Sequence, residues 1–348
     1  MTRPANVCPS LLKEYNEVTM TVQKWNLLEL LRKKIKAKGG IVSCHAHFDK
    51  AYVVTPETLQ MCNDSMEVKW DLWKEVKENY TRKDLVKRIS LSTENMIAQG
   101  CPATRTNIDV DNTVGMKCIE AALEVKEKYK KKIDLQICSQ VLEGALTPQA
   151  QKWIERAAPF VDVLGGLPSR ERPHQKEHLE YIFDVARRHN KTVDVHIDQN
   201  NDPDEHDTEL LAKVVIQQKM QGRVNAVHAC SLAAQPDSYI REVAQMMKEA
   251  NMSVIICPRA VVDMLQPREK ISPVHNSIAP LQHLLEAKLN VCLGVDNVHD
   301  FFCPFIDGDV FTELLFLIET TRFYDVDTLV DIATVNGKKV LEMVHQKI

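Results

Sequence analysis

Two histidines one residue apart, His45 and His47, end a short apolar segment at residues 41–47 whose residue types predict a β-strand. Because side chains alternate along a strand, both imidazoles are expected on the same face. Two imidazoles on one face are half of the ligand set that a transition-metal ion needs. A pair of surface histidines that bind nothing has the same pattern, so the interpretation depends on ligands elsewhere in the chain.

Three further candidates, His196, His228 and Asp296, stand at the ends of similar apolar runs. An unpaired imidazole or carboxylate is costly to bury in such a run, and one shared site explains them all. Neutral imidazoles with one carboxylate suit Zn²⁺ or Fe²⁺, and we expect His45, His47, His196 and Asp296 to bind one divalent ion. Such an ion lowers the pKa of bound water to about 7 and supplies hydroxide at neutral pH. Asp296 would take the water's proton, and His228 would polarise the substrate.

Parallel strands with crossover helices are predicted to position these side chains, because short β-branched runs alternate with longer segments of helical periodicity. Strands are predicted at residues 41–47, 103–110, 133–142, 161–167, 192–198, 224–229, 253–257 and 290–295. Helices are predicted at residues 83–98, 114–130, 148–156, 175–188, 207–221, 235–249, 279–287, 310–319 and 327–342. This alternation predicts an α/β protein with a (β/α)₈ barrel, whose strand ends converge on one mouth. A doubly wound sheet is the alternative, although the chain has no GxGxxG, P-loop or GxSxG motif.

The domain organisation is predicted to be simple, because the composition does not change abruptly along the chain. We expect an N-terminal helical extension at residues 1–40, with its helix near residues 22–38, and the barrel at residues 41–348. Residues 61–81 form an insertion that carries Trp70, Trp73 and Tyr80. Such an insertion either covers the barrel mouth or packs on the side of the barrel.

The composition excludes several classes of function. The chain has 348 residues, a formal net charge of −4 and no basic stripe, so a small molecule is expected as partner rather than nucleic acid. It has neither an apolar run of membrane-spanning length nor a secretory profile at residues 1–10, so we predict a cytoplasmic protein without membrane contacts. The 10 cysteines without a CxxC pair are expected to be reduced, packed thiols.

Several motifs resemble one family of hydrolases. The segments that carry the resemblance are His45-Ala-His47-Phe-Asp49-Lys50-Ala51, Thr104-Arg105-Thr106-Asn107-Ile108-Asp109-Val110-Asp111, Asp194-Val195-His196-Ile197-Asp198, Val227-His228-Ala229 and residues 294–305. Together they resemble the amidohydrolase superfamily, in particular its cytosine deaminase-like branch, which also holds the isopropylammelide isopropylaminohydrolases. The resemblance extends from about residue 40 to residue 343. It implies a distorted barrel with one Zn²⁺ or Fe²⁺ that hydrolyses a C–N bond on a nitrogen heterocycle, usually by deamination.

The chain departs from the family pattern at the position of the proton carrier. Where the cytosine deaminases have a glutamate three residues after the strand histidine, this chain has Gln199. An amide cannot carry a proton between water and substrate. Asp198 is one candidate substitute, and Asp296 is another.

The substrate-reading positions depart from the pattern as well. Leu142 replaces the family's glutamine, and Gln140 lies two residues earlier on the same strand face. Asn297 stands where the deaminases have a second aspartate, and His299 replaces an arginine and is expected to line the pocket. The other histidines, such as His178, are expected to be solvated.

The family's β-sandwich is expected to be missing or vestigial, which would expose barrel surface and favour a homo-oligomer. The main hypothesis is a hydrolase that deaminates an amino-substituted heterocycle. Two alternatives remain open. One is an aminohydrolase that removes an alkylamino group, and the other is a catalytically impaired barrel that serves as a binding or scaffold protein.

Overall fold

The core of the protein is a parallel β-sheet of seven strands in which each strand pairs with its neighbour in chain order. The structure, a computed structural model, describes residues 26–265, 267–274 and 278–342. The strands are β1 Ala103–Asp109, β2 Asp134–Gln140, β3 Val163–Gly166, β4 Thr192–Ile197, β5 Val224–His228, β6 Ser253–Ile256 and β7 Asn290–Leu293. Almost every strand residue is buried, as expected for a parallel sheet that is covered on both faces.

Helices cover the outside of the sheet and connect its strands. They are α1 Leu27–Ala37, α2 Met66–Glu78, α3 Arg82–Ala98, α4 Lys117–Tyr129, α5 Pro148–Ala157, α6 Gln175–Arg188, α7 Asp207–Gln217, α8 Asp237–Glu249, α9 Pro258–Val262, α10 Leu281–Glu286, α11 Val310–Thr321, α12 Val326–Ala333 and α13 Val335–Glu342. Short 3₁₀ helices lie at Leu59–Asn63, Pro168–Glu171 and Cys230–Ala234. Several helices begin at a capping side chain, for example Ser65 before α2 and Thr81 before α3.

The segment at residues 41–47 is not a regular strand, which corrects the prediction for this part of the chain. It forms only single-residue parallel bridges, one between Ser43 and Thr104 and one between Ala46 and Asp296. The backbone oxygen of Ser43 accepts a hydrogen bond from Arg105 N at 3.0 Å, and the backbone oxygen of Ala46 accepts one from Asn107 N at 2.7 Å. The advance of three residues from Ser43 to Ala46 is therefore paired with an advance of only two residues on β1, from Arg105 to Asn107. The extra residue interrupts the ladder as a β-bulge does.

The same segment also contacts the last strand, so it closes the sheet into a ring. Cys44 N donates to Leu293 O at 2.8 Å, and Val295 N donates to His45 O at 2.9 Å. Gly294 permits this close approach, because a Cβ atom at that position would lie 2.6 Å from His45 Cβ. The described architecture is therefore an α/β barrel with a distorted first segment, as the sequence predicts.

Alternation along β1 places polar side chains in three layers of the barrel interior. At the bottom, Arg105 forms an ion pair with Asp194 at 2.9 Å and donates to Val340 O at 3.1 Å, which ties α13 to the barrel floor. Asn107 lies in the middle layer, and Asp109 lies at the carboxyl end of the strand. This order carries the polar groups upward to the mouth, where barrels hold their functional residues.

Other predictions compare simply with the structure. The helix predicted at residues 327–342 is two helices, because Thr334 between α12 and α13 has φ −136° and ψ −84°. The first part of the helix predicted at residues 22–38 lies outside the described residues, as does most of the extension at residues 1–40. The division into an extension and one barrel domain remains a prediction. Among the described helices, none has both the length and the apolar character that crossing a membrane requires.

Candidate metal centre and its pocket

The predicted ligands from the two ends of the chain meet at the barrel mouth. Nε2 of His47 lies 3.1 Å from Oδ1 of Asp296, and Nε2 of His45 lies 3.3 Å from the same oxygen. All three side chains are buried, and the bulged segment brings both imidazoles to the end of β7. The first and last parts of the barrel therefore supply one common cluster.

Two further imidazoles complete the cluster from β4 and β5. Nε2 of His196 lies 3.3 Å from Nε2 of His47, and Nε2 of His228 lies 3.8 Å from Oδ2 of Asp296. His45, His196 and His228 each place a ring nitrogen within 4.8 Å of the others. The structure thus brings together all five residues that the sequence analysis selected for the metal chemistry.

Three of the distances between these atoms match those expected around one metal ion. Ligands at about 2.0–2.1 Å from a tetrahedral ion are about 3.3–3.4 Å from one another. The observed contacts of 3.1 Å and 3.3 Å around Asp296 and His47 are close to that value. In addition, Nε2 of His45 is buried without a hydrogen-bond partner in the described part of the chain. A buried nitrogen of this kind is available to an ion.

Electrostatics keep the cluster in the protonation state that metal binding requires. Burial lowers the pKa of His47 and His196, and it lowers the pKa of His228 to about 4. Burial acts to raise the pKa of Asp296, but the interactions with the adjacent imidazoles of His45, His47 and His228 outweigh it and hold that pKa well below the usual value. At neutral pH these directions favour neutral imidazoles at His47, His196 and His228 and an ionised carboxylate at Asp296.

The backbone at the strand ends is strained where it presents these groups. His228 has φ 76° and Asp296 has φ 61°. Both values lie in the left-handed region, which is unfavourable for residues other than glycine. Such residues concentrate at functional sites, where the surrounding structure holds them in place. The strain supports a functional interpretation of both residues.

Asn107, which the sequence analysis did not select, contacts the first ligand. Its side-chain nitrogen lies 2.8 Å from Nδ1 of His45, and its side-chain oxygen has no hydrogen-bond partner among the described residues. If the amide is turned by 180°, the oxygen accepts from Nδ1–H and leaves the Nε2 lone pair of His45 free for a metal. The alternation of Arg105, Asn107 and Asp109 along β1 was the sequence signal for this residue.

A cavity opens beside the cluster. Its polar lining includes Gln140, Gln199 and Asn297, and Leu142 is part of its apolar lining. The other apolar residues of the lining are Met66, Trp70, Leu167, Val261, Met264 and Phe302. The insertion helix α2 thus covers part of the mouth through Met66 and Trp70, which is one of the two placements that the sequence left open.

Besides His45, two predicted site residues lie outside the lining of this cavity. The carboxylate of Asp198 accepts hydrogen bonds from the backbone of Asp207 at 3.1 Å and of Thr208 at 3.0 Å, so it caps the start of α7. Nδ1 of His299 contacts Pro304 O at 2.9 Å, and its ring centroid lies 5.9 Å from that of Tyr52. Their proposed roles in proton transfer and substrate binding therefore gain no direct support from position.

One thiol lies close to the cluster. Cys257 places its sulfur within 4.8 Å of ligand atoms of His45 and Asp296. Burial raises the pKa of this thiol well above the usual value, which keeps it protonated. Its protonated state agrees with the expectation of a packed thiol.

Comparison with known proteins places this geometry in a family. A sequence profile described as the amidohydrolase family matches residues 143–310, which contain His196, His228 and Asp296. An uncharacterised protein of Haemophilus influenzae is 35% identical over 259 residues, which are 73% of this chain and 94% of that protein. The N-isopropylammelide isopropyl amidohydrolase of Pseudomonas sp. (strain ADP) is 26% identical over 331 residues, which are 89% of this chain and 77% of that enzyme.

Among solved structures, the 5-methylcytosine deaminase of Klebsiella pneumoniae liganded with 5-fluorocytosine is similar, with a TM-score of 0.79 and 25% identity. The match covers 87% of this chain and 74% of that enzyme. The barrel, the strand-end histidines and these relatives agree with one another. The chain therefore belongs to the amidohydrolase family of hydrolases.

Proposed function

We propose that this protein is a metal-dependent hydrolase that deaminates an amino-substituted nitrogen heterocycle. The observation that carries the proposal is the buried cluster of imidazoles around Asp296, which forms one wall of a cavity with a mixed polar and apolar lining. The lining combines apolar side chains with converging polar groups, and such a combination is typical of small-molecule sites. Family membership supports hydrolysis of a C–N bond outside peptides.

The residues that would hold the ion are His45, His47, His196 and Asp296. They provide three imidazole nitrogen donors and one ionised oxygen donor, a set that suits one Zn²⁺ or Fe²⁺. When bound, such an ion acts as a Lewis acid and supplies a hydrolytic nucleophile at neutral pH.

The chain's own groups would orient the substrate and move the protons. His228 lines the cavity, and its imidazole is neutral at pH 7 because burial lowers its pKa to about 4. It can therefore donate a hydrogen bond to the substituent on the carbon under attack. Asp296 lines the same cavity as an ionised carboxylate and can accept a proton and return it to the leaving nitrogen.

Gln199 also lines the cavity, at the place where the sequence resemblance implies a glutamate. Because its amide orients but does not transfer protons, we assign both proton transfers to Asp296 and a substrate-orienting role to Gln199. Asp198 caps α7 in the structure, which makes it a weaker candidate for the same task.

Two reactions fit a C–N hydrolase at this site. The similarity to a 5-methylcytosine deaminase supports release of ammonia, and the similarity to an isopropyl amidohydrolase supports release of an alkylamine. The lining contains Trp70 and Phe302, whose aromatic side chains can pack against the flat ring of either substrate. We favour deamination on the similarity to the 5-methylcytosine deaminase.

The test is product release by the metal-loaded protein from a panel of aminopyrimidines, aminotriazines and pterins, each also supplied as its N-isopropyl derivative. Ammonia release from an amino compound that is lost in His228→Ala supports the proposal. Release of isopropylamine alone would assign the protein to the second reaction. Absence of turnover on the whole panel, with the metal present, would instead favour the binding-protein hypothesis.

A further inference from the structure

The polar side chains that line the cavity differ in how many hydrogen bonds they already make within the protein. Apart from four residues of the cluster, the polar residues of its lining are Lys50, Gln140, Gln199 and Asn297. The Nδ2 atom of Asn297 already donates to Oδ2 of Asp300 at 2.5 Å. Lys50 and Gln140, by contrast, retain hydrogen-bonding capacity on the side of the cavity that faces β1 and β2.

Gln140 is a buried amide whose acceptor is unused. Its residue is 2% exposed, and its Oε1 atom has no hydrogen-bond partner in the part of the chain that the structure describes. Leaving a buried polar group unsatisfied costs free energy, so such a group in a cavity wall points to a ligand that satisfies it. A ligand hydrogen-bond donor at this position would remove the cost.

Lys50 is a buried ammonium with a spare donor. Its Nζ atom lies 2.6 Å from Oδ1 of Asp109 and 3.5 Å from Oδ1 of Asp49, and the residue is 1% exposed. An ammonium has three N–H groups, so these two contacts leave one donor for a ligand. The carboxylates also hold the side chain in place, which lowers the entropy lost when a ligand binds.

The strand register sets Gln140 beside the carboxylate that binds Lys50. Asp109 is the last residue of β1 and Gln140 is the last residue of β2, and the two are direct partners in the parallel pair. Partnered side chains point to the same face, and neighbouring strands are about 4.8 Å apart. Gln140 is therefore the neighbour of the carboxylate that binds the Lys50 ammonium, and both Lys50 and Gln140 line the cavity.

We propose that Lys50 and Gln140 together bind a lactam edge of the substrate, with a ring carbonyl oxygen accepting from Lys50 and the adjacent ring N–H donating to Gln140. This inference rests on the proposed function, because it assumes that the cavity holds a heterocycle. Lys50 and Gln140 would then determine specificity for a ring that carries a carbonyl group next to a ring N–H group. Leu142, at the position where the resemblance implies a substrate-reading glutamine, contributes only apolar contact.

The test uses equilibrium binding of rings that lack an amino group and are therefore not deaminated. Pyrimidinone is compared with pyrimidine, hypoxanthine with purine, and pteridinone with pteridine, by calorimetry on the metal-loaded protein. At least one lactam should bind about tenfold or more tightly than its partner, because a site built for hydrogen bonds rejects an analogue that lacks them. Metal content and the unfolding temperature are measured for every variant.

The variants separate recognition from folding. Gln140→Leu should reduce the lactam preference to less than about threefold while metal content is unchanged, and Gln140→Glu, which keeps an acceptor, should retain most of it. Lys50→Gln should lose the lactam preference. Lys50→Arg keeps the positive charge and is the matched control for folding. An equal affinity within all three pairs, or a preference that survives Gln140→Leu, would overturn the inference. Loss of turnover with an intact lactam preference would count against the proposed reaction and leave the binding pair in place.

Discussion

Nη1 of Arg105 lies 2.9 Å from Oδ2 of Asp194, and both side chains are completely buried beneath the candidate metal centre. Arg105 also donates to Gln136 Oε1 at 2.9 Å, and Asp194 also accepts from Asn225 Nδ2 at 2.7 Å. The network connects β1, β2, β4 and β5 at the base of the barrel. Removing one partner of such a pair leaves a buried charge without compensation.

We predict that Arg105→Met lowers the free energy of unfolding by about 3–5 kcal/mol, as measured by urea denaturation. The double variant Arg105→Met/Asp194→Leu should lose clearly less than the sum of its single variants. As a control, Arg241→Met removes an exposed ion pair with Glu286 and should cost less than about 1 kcal/mol. Strict additivity in the double variant would contradict the account of the barrel floor.

Helix α2 is held over the cavity by a second buried network. Lys77 contacts Asp111, lies 3.3 Å from Oδ2 of Asp109 and lies 3.4 Å from Oε1 of Glu143. On the same helix, Trp73 stacks on Phe302 with ring centroids 6.2 Å apart. The insertion that the sequence left in two alternative positions is therefore anchored by charge at one end and by an aromatic contact in its middle.

We predict that Lys77→Met loosens this helix, because it leaves the three carboxylates without their common cation. Amide hydrogen exchange at Met66–Glu78 should become at least about tenfold faster, while Arg82–Ala98 is unchanged. KM for the substrate should rise more than kcat falls, and Lys77→Arg should restore most of the protection. Unchanged exchange in α2 would show that the ion pairs do not hold it.

Proton transfer offers a direct gain-of-function test. We predict that Gln199→Glu increases kcat for deamination by about 10- to 100-fold, because a carboxylate in the cavity wall adds a proton carrier. Gln199→Met should not produce this gain, since it removes the amide without adding a carrier. If the glutamate variant shows no gain on a substrate that the wild type turns over, Asp296 already carries both protons without limiting the rate.

A buried carboxyl on α11 should make stability depend on pH. Burial raises the pKa of Glu313 to about 8, and its Oε1 atom has no hydrogen-bond partner among the described residues. The folded state therefore holds this proton between the unfolded pKa, about 4.5, and the folded pKa, so stability falls as pH rises through that interval.

We predict that Glu313→Gln is as stable as the wild type near pH 5 but more stable by at least about 2 kcal/mol at pH 8.5. Chemical denaturation at the two pH values measures this difference. The backbone N–H of Arg259, which donates to Glu313 at 2.9 Å, can still donate to the amide oxygen of the variant. A gain of equal size at both pH values would mean that the substitution acts by packing rather than by titration.

The convergence of the candidate metal ligands could be predicted from the sequence because these residues end or follow apolar strands whose carboxyl ends must meet. His196 is in β4, His228 ends β5, and Asp296 follows β7 by three residues. The bulge at residues 41–47 could not be predicted in the same way. It depends on how that segment fits between β1 and the end of β7, and periodicity within the segment does not contain that information.

The positions of other polar residues also depend on tertiary contacts. His178, which the sequence predicts to be solvated, is completely buried, with Nδ1 2.6 Å from Glu171 Oε2 and Nε2 accepting from Leu167 N. Asp198 lies two residues after His196, yet its backbone has φ 49° and its carboxylate caps α7. Sequence alone does not show which strand-end carboxylate faces the cavity and which one caps the next helix.

The central claim is that one ion is held at the barrel mouth by residues from the first, middle and last parts of the barrel sequence. Metal stoichiometry tests this claim most directly. The purified wild-type protein, dialysed against metal-free buffer and measured by plasma mass spectrometry, should retain about one Zn²⁺ or Fe²⁺ per chain. His47→Ala and His196→Ala should each retain less than a tenth of that amount, while His283→Ala on α10 should retain all of it. A wild-type protein that binds no divalent metal, or cluster variants that bind as much as the wild type, would contradict the account.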